Sequence, residues 1–365
     1  MHHGLGQALL SADRATARER WPVTAGPLDV AAQPAARFER RAMGSPLRLT
    51  LVGVPDGRAA NAWAAVSAAI EEIEQSLSRF RPTSDLVRLN ARAGDPACAA
   101  VDPWLYAALA TAERAWRRTD GAFDPRVIGD LERLGYAGAA VANGAAVANG
   151  AARPEPASFS RLSAFPDRRW LHRDPRRRGV AIASPIDLGG IGKGLALRWA
   201  LARLTAALPE LGEPAVGALL EAGGDLVARG VAPQPGPWLI GVEDPEGGPE
   251  PVVVALEAGA VCTSSISVHA WLAPDGRRVH HLLDPRTGEP GGDGLVAVTV
   301  AAPDPAWSEV WSKALFLEGQ RGIGPRARSL GLAAWWMRTD GTLEMTPAAR
   351  ERTVWLAADG EAAAR

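Results

Sequence analysis

The chain has 365 residues, of which 47% are hydrophobic and 22% charged, with a net charge of -1; that is ample for a large core and ordinary for a globular protein. Balanced charge, with no basic run interleaved with aromatics, gives no electrostatic footprint for nucleic acid, and no run reaches the ~20 apolar residues of a membrane span. Two cysteines, Cys98 and Cys262, make no disulfide framework and have no metal-ligand company at zinc spacing, and with no signal-type apolar block in residues 1–40 the cytoplasm is the expected compartment.

In chain order, Met1 to about Pro34 is rich in Ala, Arg and Gly without sustained periodicity and is expected to be a flexible leader, with one domain over 35–365. A strand is expected at Leu47–Val54, preceded by F-E-R-R-A-M-G-S (Phe38–Ser45). Arg58 to Leu77 places Trp63, Val66, Ile70, Ile73 and Leu77 on one helical face. Pro82 stops that helix, and Ser84 or Asp85 is positioned to cap a short turn. Asp102-Pro103 opens another helix to about Arg118 by N-cap and Pro-at-N1 logic. Ala139–Gly150 repeats A-A-V-A-N-G twice; with the Arg-rich stretch ending at Arg178 it reads as a long low-complexity connection over 137–178.

A strand at Gly179–Ala183 then runs into I-D-L-G-G-I-G-K-G, Ile186–Gly194, followed by a helix from Leu195 to about Ala207. Four glycines between strand and helix let backbone amides approach a ligand, and the helix start adds partial positive charge. With Lys193 in the turn and Asp187 at its entrance this is phosphate-cradle chemistry, although neither a P-loop nor a G-x-G-x-x-G fingerprint is present. Of 40 basic residues only Lys193 and Lys313 are lysines. Two ammonium ions kept against a background of arginine suggest a need for a compact point charge.

Further strands are expected at Ala215–Leu220, Trp238–Val242, Val252–Leu256, Ala260–Thr263, Leu295–Ala301 and Val354–Ala357, with a helix over Ala306–Leu317. Strands and helices mixed without clean βα alternation predict an α+β fold. Three Gly/Asp turns recur, at Asp124, Asp187 and Asp225. Asp124 is read as a ligand acceptor with Phe123 stacking beside it, although an Asx-type turn explains the same residues. His281 precedes Asp284 by three residues, close enough for the carboxylate to set the imidazole's tautomer. His280 lies next to it and stays open as the alternative base. Glu309 and Lys313 sit i,i+4, the orientation of a helix-surface ion pair.

Together these stretches resemble the ApbE family of Mg-dependent FAD:protein FMN transferases, over about Phe38–Gly319. The resemblance lies in M-G-S (Met43–Ser45), R-F-R-P-x-S-D-L-x-R-L-N (Arg79–Asn90), G-A-F-D-P (Gly121–Pro125), D-L-G-G-I-G-K-G (Asp187–Gly194), G-G-D (Gly223–Asp225), G-V-E-D-P (Gly241–Pro245), Thr263-Ser264, H-L-L-D-P-R-T-G-E-P (His281–Pro290) and A-L-F (Ala314–Phe316). It implies an α+β fold with FAD between lobes, and transfer of FMN to a Thr or Ser hydroxyl of an acceptor flavoprotein with release of AMP. The alternatives are a non-catalytic FAD-binding protein and an FAD pyrophosphatase giving FMN and AMP.

By position, the resemblance puts Met43, Phe80, Ala122, Phe123, Asp124, Asp187, Lys193, Gly223, Gly224, Asp225 and Thr263 against FAD, and His281 with Asp284 at the catalytic position. It puts the metal on the Gly190 carbonyl and on an Asp and a Thr of the late helix. Here those two positions hold Glu309 and Lys313. A charged lysine cannot ligate Mg²⁺, so the Lys313 ammonium is expected to stand in for the metal, held by Glu309. Ser265 replaces a glycine after Thr263-Ser264, and Glu221 replaces an asparagine before the Gly-Gly-Asp turn.

Overall fold

The structure, a computed structural model, describes residues 33–136, 170–267 and 269–357. The expected leader, the A-A-V-A-N-G repeat and most of the 137–178 stretch lie outside these. The fold is α+β, as the mixed pattern predicts.

Its centre is an eight-stranded sheet in which each strand pairs antiparallel with the next strand of the sheet in chain order. These strands are β1 (Ala35–Ala42), β2 (Ser45–Val52), β3 (Gly217–Ala222), β4 (Asp225–Gly230), β5 (Gly259–Ser265), β6 (Leu295–Ala302), β7 (Ala333–Arg338) and β8 (Leu343–Met345). Alternation along each strand sorts side chains to two faces. Leu47, Leu49 and Leu51 of β2 and Ala218, Leu220 and Ala222 of β3 enter one core, while Leu219, Leu226 and Val261 enter the other.

Helices α1 (Asp56–Leu77), α2 (Asp85–Asn90), α3 (Pro103–Arg118), α5 (Gly192–Ala207), α6 (Pro305–Leu317) and α7 (Gly319–Ser329) cover the first face, while the short α4 (Ile128–Arg133) packs in a separate cluster with Trp271 and Leu283. The expected face of α1 is realised: Val66, Ile70, Ile73 and Leu77 are buried, and Trp63 stacks on Phe38 at 5.6 Å. Ser84 caps α2 by accepting from the Val87 amide, and Asp102 caps α3 by accepting from Trp104. A three-stranded sheet of Trp238–Val242, Val252–Leu256 and Thr353–Leu356 covers the second face.

Two expectations need correction. Strand β1 precedes the expected first strand, because Arg37–Arg41 is an edge strand whose charges alternate into solvent. The Arg-rich stretch does not run loose to Arg178. Leu171–Asp174 pairs with Gly179–Ile182 as a hairpin, its turn set by Asp174, whose carboxylate accepts from the Arg176 amide at 3.0 Å.

Candidate active site

A groove with a cavity volume of about 340 Å³ opens around the β3–β4 turn, between the start of α5 and the three-stranded sheet. That is in the range of roughly 300–1,000 Å³ typical of small-molecule sites. Phe80, Ala122, Phe123, Asp124, Asp187, Gly190, Lys193, Gly223, Gly224, Thr263, His281 and Lys313 all line it. The distant motifs of the sequence therefore meet in one place.

The floor is the Asp187–Gly194 turn. Asn90 holds its entrance, its side-chain amide donating to the Ile186 carbonyl at 2.9 Å and accepting from the Ile186 amide at 3.0 Å. Asp187 accepts from the Gly189 amide at 2.7 Å and pairs with Arg79 at 3.2 Å. Its own amide donates to Pro125, tying this turn to Gly121–Pro125. The Arg79 guanidinium lies 4.4 Å from the Phe80 ring centroid and 5.2 Å from that of Tyr136. Its Nη2 is buried with no hydrogen-bond partner. Phe80 itself is 56% exposed, an open aromatic plane at the rim.

The cradle differs from its sequence reading in one respect. Its amides do not simply await an anion: Gly189 donates to Asp187, Gly192 to the Leu188 carbonyl, and Gly194 to Glu309 Oε2 at 2.7 Å. Glu309, fully buried, is itself the anion at the start of α5. Positive charge facing the groove comes instead from side chains. Lys193 Nζ sits 2.5 Å from Asp225, whose other oxygen accepts from the Thr263 amide at 3.1 Å. Burial alone would weaken the Lys193 ammonium, but Asp225 and then Glu309 outweigh it and hold the lysine charged, above its ordinary range.

His281 lines the groove and His280 does not. The His280 Nδ1 accepts from the Leu282 amide at 3.3 Å, its ring meets Phe316 edge-on, and burial lowers it to about 4. His281 leaves its buried Nδ1 without a partner. Burial first, then the neighbouring His269 and Lys313, keep it well below the ordinary histidine range. It is thus a neutral base beside an ammonium. His269 packs 4.9 Å from it and accepts from its backbone amide at 3.2 Å.

Two expected site residues, Asp284 and Met43, stand elsewhere, and a third, Asp124, lines the groove with its carboxylate engaged. Asp284 does not orient His281: both its oxygens are taken by Arg286, at 2.9 and 2.7 Å. Asp124 lines the groove, with its carboxylate bonded to the Arg126 side chain. Met43, in the β1–β2 turn, does not line the cavity; its amide donates to Glu74 at 3.1 Å. Asp225 and Glu309 stand behind the wall, gripping the two lysines.

Arg79, Tyr136, His269 and Glu221 line the groove without having been singled out as site residues. Arg79 adjoins Phe80 in a motif already noted, which was a usable signal; Tyr136 and His269 carried none. Glu221 is buried, and burial, partly countered by Arg48 and reinforced by Glu39, raises it to about 7.

The residues do not fit a bound Mg²⁺. That ion demands octahedral oxygen donors at about 2.0–2.1 Å. Glu309 spends one oxygen on the Gly194 amide and the other on Lys313 at 3.2 Å. Among the described residues no group of three or more His, Cys, Asp or Glu is placed to hold a metal, and no helix is long and apolar enough to cross a membrane.

Comparison with known proteins gives the family and the fold. A FAD:protein FMN transferase of Treponema pallidum is 30% identical over 285 residues, spanning 70% of this chain and 73% of that protein. One from Salmonella typhimurium is 27% identical over 328 residues, spanning 86% and 88%. Among solved structures, the ApbE protein of Thermotoga maritima superposes with a TM-score of 0.73 at 25% identity, covering 87% of this chain and 99% of that one. Apo flavinyl transferase ApbE of Pseudomonas stutzeri gives 0.70 at 26%, covering 90% and 100%. The ApbE family model matches residues 43–336, and the chain belongs to the ApbE family.

Proposed function

We propose that the protein transfers FMN from FAD to a Thr or Ser hydroxyl of an acceptor protein, releasing AMP. The observation that carries this reading is His281: a neutral imidazole with an unpartnered, buried Nδ1, in one groove with Lys193 and the Asp187 turn. Phosphoryl transfer is mostly positioning and charge neutralisation, with a base for the attacking hydroxyl.

In this reading the acceptor oxygen attacks the FMN phosphorus and its proton passes to His281. The bond from that phosphorus to the bridging oxygen breaks, and AMP leaves with the bonding electrons. Lys193 neutralises charge on the diphosphate, and Asp225 keeps the ammonium aimed. The Arg79–Phe80–Tyr136 stack offers a surface for a flat ring system.

The test is incubation of the protein with FAD and a Thr/Ser acceptor peptide, following AMP release and peptide mass. AMP together with a peptide heavier by one FMN supports the reading. AMP with an unmodified peptide makes the protein an FAD pyrophosphatase. Bound FAD without AMP makes it a flavin-binding protein.

A further inference from the structure

The chain's only two lysines, Lys193 and Lys313, come from different helices to the wall of one groove. The first turns of those helices touch: a methyl built on Gly194 would lie 2.5 Å from the Pro305 carbonyl oxygen. Behind each ammonium stands a carboxylate almost fully removed from water, Asp225 at 2.5 Å and Glu309 at 3.2 Å. Neither carboxylate is idle on its other oxygen, since Asp225 also accepts from Thr263 and Glu309 from Gly194. An ammonium carries three donors. One carboxylate contact leaves the remainder for an anion in the groove.

Lys313 stands beside the carboxylate that another cation would use. Its alkyl chain runs beside Gly190, where a methyl would lie 3.5 Å from the lysine Cδ. Its positive charge fills the space beside the one fully buried carboxylate of this wall. An arginine there would present a broad planar fork in place of a point charge, although arginine fills every other basic position of the chain apart from histidine.

We infer that Lys193 and Lys313 form a two-ammonium clamp for a diphosphate, with Lys313 built in where a dissociable divalent cation would otherwise be needed. The protein therefore binds FAD without a metal. This deepens the FAD reading above and rests on it. Glu309 with a divalent cation would leave one positive charge at this end, and Glu309 with Lys313 leaves none. The clamp gives up that attraction in exchange for a cation that cannot be chelated away.

The experiment is FAD binding to the full-length protein, read by flavin fluorescence, in excess EDTA and in excess Mg²⁺, with Mn²⁺ as an EPR probe of metal uptake. The expected result is the same dissociation constant in both media and no Mn²⁺ held stoichiometrically with FAD. Affinity that collapses in EDTA, or one Mn²⁺ held per chain, overturns the inference and leaves the FAD reading standing. No FAD binding in either medium overturns both.

Lys313→Thr supplies a second arm, its folding checked by thermal melting. Its FAD affinity in EDTA is expected to fall by about tenfold or more, the scale of losing one charge-assisted hydrogen bond. An unchanged affinity for a folded Lys313→Thr overturns the inference. The measurements on the parent protein decide the matter even if the variant does not fold.

Discussion

Two kinds of aspartate turn look alike in this chain and behave oppositely. At two of the chain's three D-P-R turns the arginine two residues on takes the carboxylate; at the third, Asp174 accepts from the Arg176 amide instead. Asp124 with Arg126 and Asp284 with Arg286 are the two, with nearly the same distances, 2.9 and 3.1 Å from Nε to the two oxygens in both. In D-L-G-G and G-G-D no such arginine follows, and the carboxylate reaches across the fold. Asp187 finds Arg79, and Asp225 finds Lys193 and Thr263. An aspartate beside glycines is free for distant work when no arginine two residues on claims it, even where, as at Asp187, one oxygen also takes an amide of its own turn.

The sharpest way to break that contrast is catalytic. His281→Ala is expected to lower kcat by about 10²–10⁴-fold, the usual share of a general base, while Asp284→Asn leaves kcat within about fivefold, since its partner is exposed. Equal losses in steady-state assays would restore Asp284 to the imidazole. The kcat/KM profile should lose activity only as pH falls well below 6.5, because the base works when neutral and burial lowers its proton affinity.

The next effect is on stability. Asp225→Ala leaves Lys193 without its buried partner and should cost about 3–5 kcal/mol in denaturant unfolding. A loss no larger than that of Asp284→Ala would erase the distinction between the two turns.

Glu221 tests the groove rather than the turns. Its folded value of about 7 lies above the ordinary 4.5. The folded state therefore keeps a proton that the unfolded chain releases, and stability falls as pH rises from about 4.5 to 7, then levels. Glu221→Gln should stabilise the protein by on the order of 3 kcal/mol at pH 8 and hardly at all at pH 4. Thermal melts at both pH values check it. Smallest is Asp284→Ala, expected at about 1 kcal/mol or less.

Much of the scaffold was legible because its signals are local. Ser84 and Asp102 are caps, Val66 to Leu77 is one helical face, α6 begins one residue before the expected Ala306, and α5 begins three residues before the expected Leu195. Strand β1 was not, since an edge strand carrying Arg37, Glu39 and Arg41 shows little apolar alternation. At the site, residue type and motif singled out Asp187, Lys193 and His281, and the fold brings all three to one groove. It misjudged Asp284, where proximity along the chain suggested an imidazole and an arginine two positions on prevailed; Asp124 does line the groove, with Arg126 on its carboxylate. Tyr136 and His269 owe their place to the path of the backbone between elements, which no short window of sequence records.

The contact at Gly194 has a mechanical corollary. With no room for a methyl between the starts of α5 and α6, the two helices that carry Lys193 and Lys313 are locked backbone to backbone at that point. Any side chain placed on Gly194 would have to push one helix off the other, and so would disturb both lysines at once.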